Sequence, residues 1–241
     1  MLAAAILAAG ESRRMGTPKA LLPYHGKTFV EHLIEVTRHP RVGVTRVVLG
    51  AHADEITHQL MNGLRQGTAS AVPNRSQRAG VLTFEASGKR TGPPLETAPS
   101  EKLRLGAEMI VVNEAWQQGQ LSSIQAAIRS LPKGETEGLL LCPVDHPLVS
   151  AALVARLIEQ FDASGKAVVL PTFHGRRGHP LIFRASLYEE LLAASPAVGA
   201  RQVVWAHAAD VLEVPTEEEG VTLNLNDPAT LARALGNPSH Q

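Results

Sequence analysis

The feature that most restricts the fold is the apolar run Leu2 to Ala8, which breaks into a loop, LAAGESRRMGTPKALL over Leu7 to Leu22. A short, wholly apolar run of this kind suits a strand buried on both faces, inside a sheet covered by helices on each side. Where that strand ends, Gly10, Ser12, Arg13, Arg14, Gly16 and Lys19 offer backbone N–H groups and fixed positive charge. Open α/β sheets bind ligands at the carboxyl ends of their strands, so the loop suits an anion, and a triphosphate is the obvious candidate. The alternative is a surface loop whose cations are merely solvated. Five residues separate Gly10 from Gly16 and Lys19 follows three later, so neither GxxxxGK[ST] nor GxGxxG is matched.

The rest of the chain alternates strand and helix patterns. Thr28 precedes Phe29, Val30, Leu33, Ile34 and Val36 as an N-cap would. Thr45 to Gly50 reads as a strand, and Ala53 to Leu64 as a helix with Ile56 and Leu60 inward. Met109 to Val112 is a strand and Ile124 to Leu131 a helix, for which Ser122 and Ser123 are either caps or ligand contacts. Gly138 to Cys142 is the most apolar strand, and Ser150 caps a helix running to Phe161. Strands Ala167 to Leu170 and Leu181 to Phe183 flank a basic loop, Gly175 to Pro180. Helices over Ser186 to Ala194 and Gly199 to His207 follow, with Val203, Val204 and Trp205 apolar enough to pack. Strands Val211 to Val214 and Val221 to Leu225 come next, and Asp227 with Pro228 opens a last helix. This alternation predicts one α/β domain over residues 1–241, a three-layer, doubly wound, mostly parallel sheet. Only Pro73 to Gly106 departs from it, irregular except for Val81 to Phe84 and longer than a compact domain usually leaves unstructured.

Asp145 stands at the end of the most apolar strand, between Pro143 and Pro147. An ionisable group held there is poorly explained by solubility; it suits a hard-cation ligand, with a turn cap as the alternative. His146 has no second His or Cys at zinc spacing. In Gly175 to Pro180, Arg176, Arg177 and His179 lie beside glycines that permit close approach to a phosphate, or form a simple hairpin turn. Lys plus Arg equals Asp plus Glu at 23 each, so no overall basic field favours nucleic acid or an anionic membrane. There is no aromatic-basic platform for nucleic acid either. Cys142 is the single cysteine, which excludes an internal disulfide and fits a reducing, cytoplasmic setting as well as a cysteine-poor secreted chain. The start MLAAAILAAG lacks a basic n-region and soon meets Glu11 and Arg13, unlike a signal peptide, and no stretch approaches the about eighteen apolar residues of a spanning helix.

With Leu7, Ala8, Gly10, Ser12, Arg14, Met15, Gly16, Lys19, Leu21 and Leu22 in place, the first loop resembles the LAxGxSxRMGxxKxLL motif of the MobA-like nucleotidyltransferases. That family includes the molybdenum-cofactor cytidylyl- and guanylyltransferases. The resemblance implies a Rossmann-like, GT-A-type fold and a nucleotide site at Leu7, Ala8, Ala9, Gly10, Ser12, Arg14, Gly16 and Lys19. It makes Pro73 to Gly106 an insertion: a flap, a partner-binding element or a surface excursion. VDHPL is similar to the family's (V/C)DxPL, which implies that Asp145 holds Mg²⁺ or Mn²⁺. Asn224 and Asn226 fall in the (D/N)x(D/N)TP element that reaches the same metal, although both are neutral and Asp227 replaces its Thr. NEAWQQGQLSSIQAAI is similar to NPxWxxGMxxSL, and GRRGHPLIF to GxxGHPxxF. These imply acceptor contacts from Ser122, Ser123, Arg176, Arg177, Gly178 and His179, and GARQVV over 199–204 is similar to the GARxLL that often follows. Ala9 and Pro18 follow the LAAG and PK wording of the cytidylyl branch rather than LAGG and DK. The resemblance therefore implies an NTP, CTP by preference, a phosphorylated pterin acceptor, and a molybdoenzyme or its chaperone as receiver. It also implies that Arg14, Lys19 and Asp145 would carry the catalysis. Two alternatives stay open: an NTP transferase acting on a sugar or polyol phosphate, and a noncatalytic chaperone that binds the molybdenum cofactor.

Overall fold

A computed structural model describes residues 1–69 and 109–236. The irregular stretch Pro73 to Gly106, with Val81 to Phe84, lies outside the described residues. At the centre is β1 (Leu2–Ala8), buried along its whole length. Leu2, Ala4, Ile6 and Ala8 face one core while Ala3, Ala5 and Leu7 face the other, as the two-residue period of a strand requires.

After β1 come a two-stranded hairpin, β2 (Pro23–Tyr24) and β3 (Lys27–Thr28), and α1 (Phe29–Val36). Thr28 and Glu31 form a capping box at the start of α1, satisfying two end N–H groups reciprocally. Then follow β4 (Val42–Leu49), α2 (Ala53–Ala69), β5 (Ile110–Val112), α3 (Gln120–Arg129), β6 (Gly138–Pro143) and α4 (Ala151–Ser164). The chain continues through β7 (Val168–Phe173), β8 (Arg176–Arg177), β9 (Leu181–Arg184), α5 (Tyr188–Ala193), α6 (Arg201–Ala206), β10 (Val211–Pro215) and α7 (Pro228–Gly236). Sheet order is β10-β7-β9-β6-β1-β4-β5, with β8 paired to β7. Parallel pairing joins β1 to β4 and β6, β4 to β5, and β7 to β10. The exceptions are β8, antiparallel to β7, and β9, antiparallel to both β6 and β7, because the short 174–180 connection returns the chain beside the strand it left.

Apolar faces of α1, α2, α4 and α7 cover one side of the sheet, and those of α3, α5 and α6 the other, which gives three layers. Among the described residues no helix is long and apolar enough to cross a membrane.

Two expectations are corrected. Val221 to Leu225 is not a strand: Glu219–Thr222 is a 3-10 turn, and Val221 is buried by packing rather than by sheet pairing. The α3 helix starts at Gln120, not Ile124, because Gly119, at φ +100°, reverses the chain one turn earlier.

The register of β1 aligns Ala8 with Leu49 and Leu7 with Pro143, so the loops after β1, β4 and β6 open on one edge. Because the chain leaves β1 toward β4 on one side and reaches β6 on the other, a crevice forms there.

Candidate active site

The loop after β1 is built by local turns. Ser12 at φ +54° and Gly16 at φ +68° reverse the chain, and the Met15 N–H donates to the Ser12 carbonyl at 2.8 Å. Ser12 Oγ accepts the Lys19 backbone N–H at 2.9 Å, which ties the loop's start to its end. Pro18 then leads into a 3-10 turn, Lys19–Leu21, whose Ala20 is buried as an anchor. On the loop's outer edge, His52 Nε2 donates to the Glu11 carbonyl at 3.0 Å.

Fixed in this way, the Lys19 ammonium lies 2.5 Å from Asn226 Oδ1 and 3.7 Å from Asp145 Oδ2. The two charged side chains are only 16% and 23% exposed. Asp145 follows β6, and its carbonyl accepts the Leu225 N–H at 2.8 Å, so the segment before α7 is drawn across the site. That bond, rather than any strand pairing, positions Asn226. Asn224 is exposed and contributes no side chain to the cluster. Asp227 takes the helix-capping role: it accepts the Thr230 N–H at 2.9 Å and the Thr230 hydroxyl at 2.8 Å. These bonds, with a smaller contribution from the Arg14 charge, hold its carboxyl below the usual carboxylate range.

A cavity of about 340 Å³ opens here, lined by Leu7, Ala8, Ala9, Gly10, Ser12, Lys19 and Asp145 on one side and Trp116, Gln120 and Ser123 on another. Gly50 is what lets Trp116 close against the loop: a Cβ there would lie 2.5 Å from the Ala9 carbonyl oxygen and 2.7 Å from Trp116 Cβ. Arg14 and Gly16 are exposed and do not line the cavity, and Arg13 pairs with Glu11 at 2.7 Å on the surface.

Ser122 and Ser123 are not caps. Both are buried in the first turn of α3, where Asn113 Nδ2 donates to their hydroxyl oxygens at 2.8 and 3.0 Å. Ser122 in turn donates to the Gly119 carbonyl at 2.8 Å. This segment therefore borders the loop cavity, with Ser123 in its wall.

The basic hairpin divides. Arg176 is exposed, and Arg177 Nε donates to Glu213 at 2.8 Å. Gly178 leaves no room for a side chain, since a Cβ would meet the Val221 carbonyl oxygen at 2.3 Å. That close approach lets the His179 N–H donate to the same oxygen at 2.8 Å and sets the ring 4.9 Å from that of His146. His179 Nδ1 is buried and has no hydrogen-bond partner among the described residues. Burial first, then His146, pulls His179 down to about 4 against the opposing effect of Asp145, and burial likewise lowers His146. Both rings are therefore neutral near pH 7. His179, Gly178 and Arg177 border a second cavity of about 360 Å³, which has Gln120 in its wall as the first does. Its mouth also carries Trp205, expected to pack but 62% exposed. No motif foretold the His146–His179 contact, because it joins two loops distant in the chain. Trp116 and Gln120 lay inside a quoted motif without an assigned role.

Asp145 and Asn226 place a carboxylate and an amide oxygen at the head of the first cavity, and no group of three or more His, Cys, Asp or Glu that could hold a metal occurs among the described residues. One carboxylate with a neutral oxygen donor fits a hard divalent cation that takes most of its ligands from water and phosphate. It does not fit zinc.

A family model described as the MobA-like NTP transferase domain matches residues 4–211. The molybdenum cofactor guanylyltransferase of Cereibacter sphaeroides is 29% identical over 162 residues, which cover 64% of this chain and 82% of that protein. It is named for guanylyl rather than cytidylyl transfer. Nicotine blue oxidoreductase of Paenarthrobacter nicotinovorans is 26% identical over 227 residues, 89% of this chain and 88% of that one, so likeness at this level spans more than one named activity. Rv0371c from Mycobacterium tuberculosis superposes with a TM-score of 0.66 at 20% identity, covering 98% of this chain and 100% of that one. Its complex with manganese gives 0.59 at 19% identity and 96% of each chain. At such identities these two structures speak for the fold alone.

Proposed function

The chain belongs to the MobA-like NTP transferase family, and on that ground we propose that it moves a nucleotidyl group from an NTP to the terminal phosphate of molybdopterin, releasing pyrophosphate. The observation that carries this is the Lys19 ammonium held between Asp145 and Asn226 at the mouth of the loop cavity. In the reaction an acceptor phosphate oxygen bonds to the α-phosphorus as the bond to the bridging oxygen breaks. The electron pair leaves with pyrophosphate, and no covalent enzyme intermediate is needed.

Catalysis of this kind rests on positioning and charge. The loop from Gly10 to Gly16 supplies backbone N–H groups to the phosphates, and the Ser12 bond holds the Lys19 backbone while its ammonium offsets charge developing on the leaving group. Arg14, exposed on the same loop, holds the β- and γ-phosphates. Arg177 and neutral His179 bind the acceptor phosphate from the second cavity. A divalent cation, Mg²⁺ or Mn²⁺, held by Asp145 with Asn226 would neutralise triphosphate charge when bound.

Base choice has two supports that disagree. Ala9 and Pro18, which follow the cytidylyl wording, favour CTP, and Ala9 lines the loop cavity. The name of the Cereibacter sphaeroides relative favours GTP. We take the residue-level argument and assign CTP. The test is pyrophosphate release with Mg²⁺ and molybdenum-loaded molybdopterin, CTP against GTP, with Asp145→Ala as the blank. Release with CTP that vanishes in the variant is expected. Release with GTP alone would overturn the base assignment and leave the reaction class standing. Release only with sugar or polyol phosphates would replace the acceptor, and nucleotide binding without release would turn the protein into a carrier.

A further inference from the structure

Trp205 is the most exposed of the large hydrophobic side chains among the described residues, while Phe29, Phe161 and Phe183 are wholly buried. Nothing in the core requires the indole to stand in water. It lies one helical turn after Arg201, whose guanidinium carbon is 5.8 Å from its ring centroid, so the two form one cationic-aromatic face on α6. That face borders the second cavity, whose floor includes Leu141 and Phe183 and whose polar wall is Arg177 and His179. A flat apolar ring, two guanidiniums and a buried imidazole nitrogen without a partner among the described residues describe a ligand with a planar heteroaromatic body and an anionic end.

We propose that Trp205, supported by Arg201, is the stacking platform that selects a phosphorylated bicyclic heteroaromatic acceptor over an acyclic or sugar phosphate. This rests on the nucleotidyl-transfer function proposed above and names the part of the acceptor that the second cavity recognises. Gln120 lies in the walls of both cavities, so a ring seated on Trp205 is in the cavity next to the one that holds Lys19 and Asp145. Arg177 lines the same cavity while anchored by Glu213.

The experiment is calorimetric titration of the full chain with 6-hydroxymethylpterin phosphate, and with glycerol phosphate as the ringless control, on the wild type, Trp205→Ala and Trp205→Phe. Aromatic stacking of a base corresponds to roughly 5- to 150-fold in affinity, so Trp205→Ala should weaken pterin phosphate binding by about that factor. Trp205→Phe should restore most of the loss, and the control should be indifferent to both substitutions. With the indole exposed, neither variant has a packing reason to unfold. Equal affinity in Trp205→Ala, or no binding to the wild type, overturns the proposal and leaves the exposed indole to a protein partner. Failure of the transfer reaction is separable from this result. Trp205-dependent binding without pyrophosphate release would keep the platform and remove the transfer reading. Release with an acceptor KM unchanged in Trp205→Ala would do the reverse.

Discussion

Replacing Lys19 by Met keeps most of the side chain's volume and deletes its charge. At 3.7 Å, the attraction between its ammonium and the Asp145 carboxylate is about 4 kcal/mol for an effective dielectric constant of roughly 20. Both groups are partly solvated, and desolvating them offsets most of that attraction, so folding should weaken by only about 1 kcal/mol. The rate should respond more strongly. Removing one preorganised donor from a developing anion costs about 10²- to 10³-fold in kcat, roughly 3 to 4 kcal/mol of transition-state stabilisation. The assay is continuous pyrophosphate release coupled to pyrophosphatase, run on Lys19→Met, Asp145→Asn and the double variant. Since both groups act on the same triphosphate, the double variant should lose about as much as the worse single variant. Retention of kcat/KM within about threefold of wild type in Lys19→Met would remove the ammonium from the mechanism, given the size of effect such donors have. Losses that multiply in the double variant would refute the shared action of Lys19 and Asp145.

Three further outcomes are expected. Ala9→Gly removes a methyl from the cavity wall and should shift the CTP:GTP preference toward GTP by about 10-fold in competing kcat/KM measurements, the scale of one methylene in a pocket; an unchanged ratio would end the steric account of base choice. Gly178→Ala puts a Cβ 2.3 Å from the Val221 carbonyl oxygen and should lower stability by about 1 to 3 kcal/mol in urea titration while raising the acceptor KM; a wild-type midpoint would mean that the turn yields. Glu137 is held at about 2, chiefly by its bond from Arg41 and then by that from the chain's N-terminal ammonium, so its stabilising contribution is complete above the ordinary carboxylate value and is lost as pH falls through about 2. Glu137→Gln should flatten the acid limb of the unfolding midpoint against pH, and coincident limbs in the two proteins would contradict the pairing.

Much of the fold was legible because it is locally encoded. The runs Leu2 to Ala8 and Gly138 to Cys142, the helical spacing after Thr28 and the caps at Ser150 and Asp227 each state their structure within a few residues. Local encoding also explains the misses. Val221 and Leu225 are apolar enough for a strand, yet the segment turns at Glu219–Thr222 and both side chains are buried by packing instead. Ser122 and Ser123 have cap chemistry, but Asn113 from the preceding loop claimed their hydroxyls.

The sequence by itself determined the order of strands and helices along the chain, the glycine- and cation-rich make-up of the loop from Gly10 to Lys19, and the family to which these belong. Its period and motif signals depend on residues close in the chain. Only the tertiary structure decided that Asn226 meets Lys19 across 207 residues of chain, that Asn224 does not, that His146 and His179 share a contact, and that Trp205 stands open over the second cavity. Those outcomes follow from which strand lies beside β1 and which segment crosses its carboxyl end, and both are set by packing the two faces of one sheet rather than by any local preference.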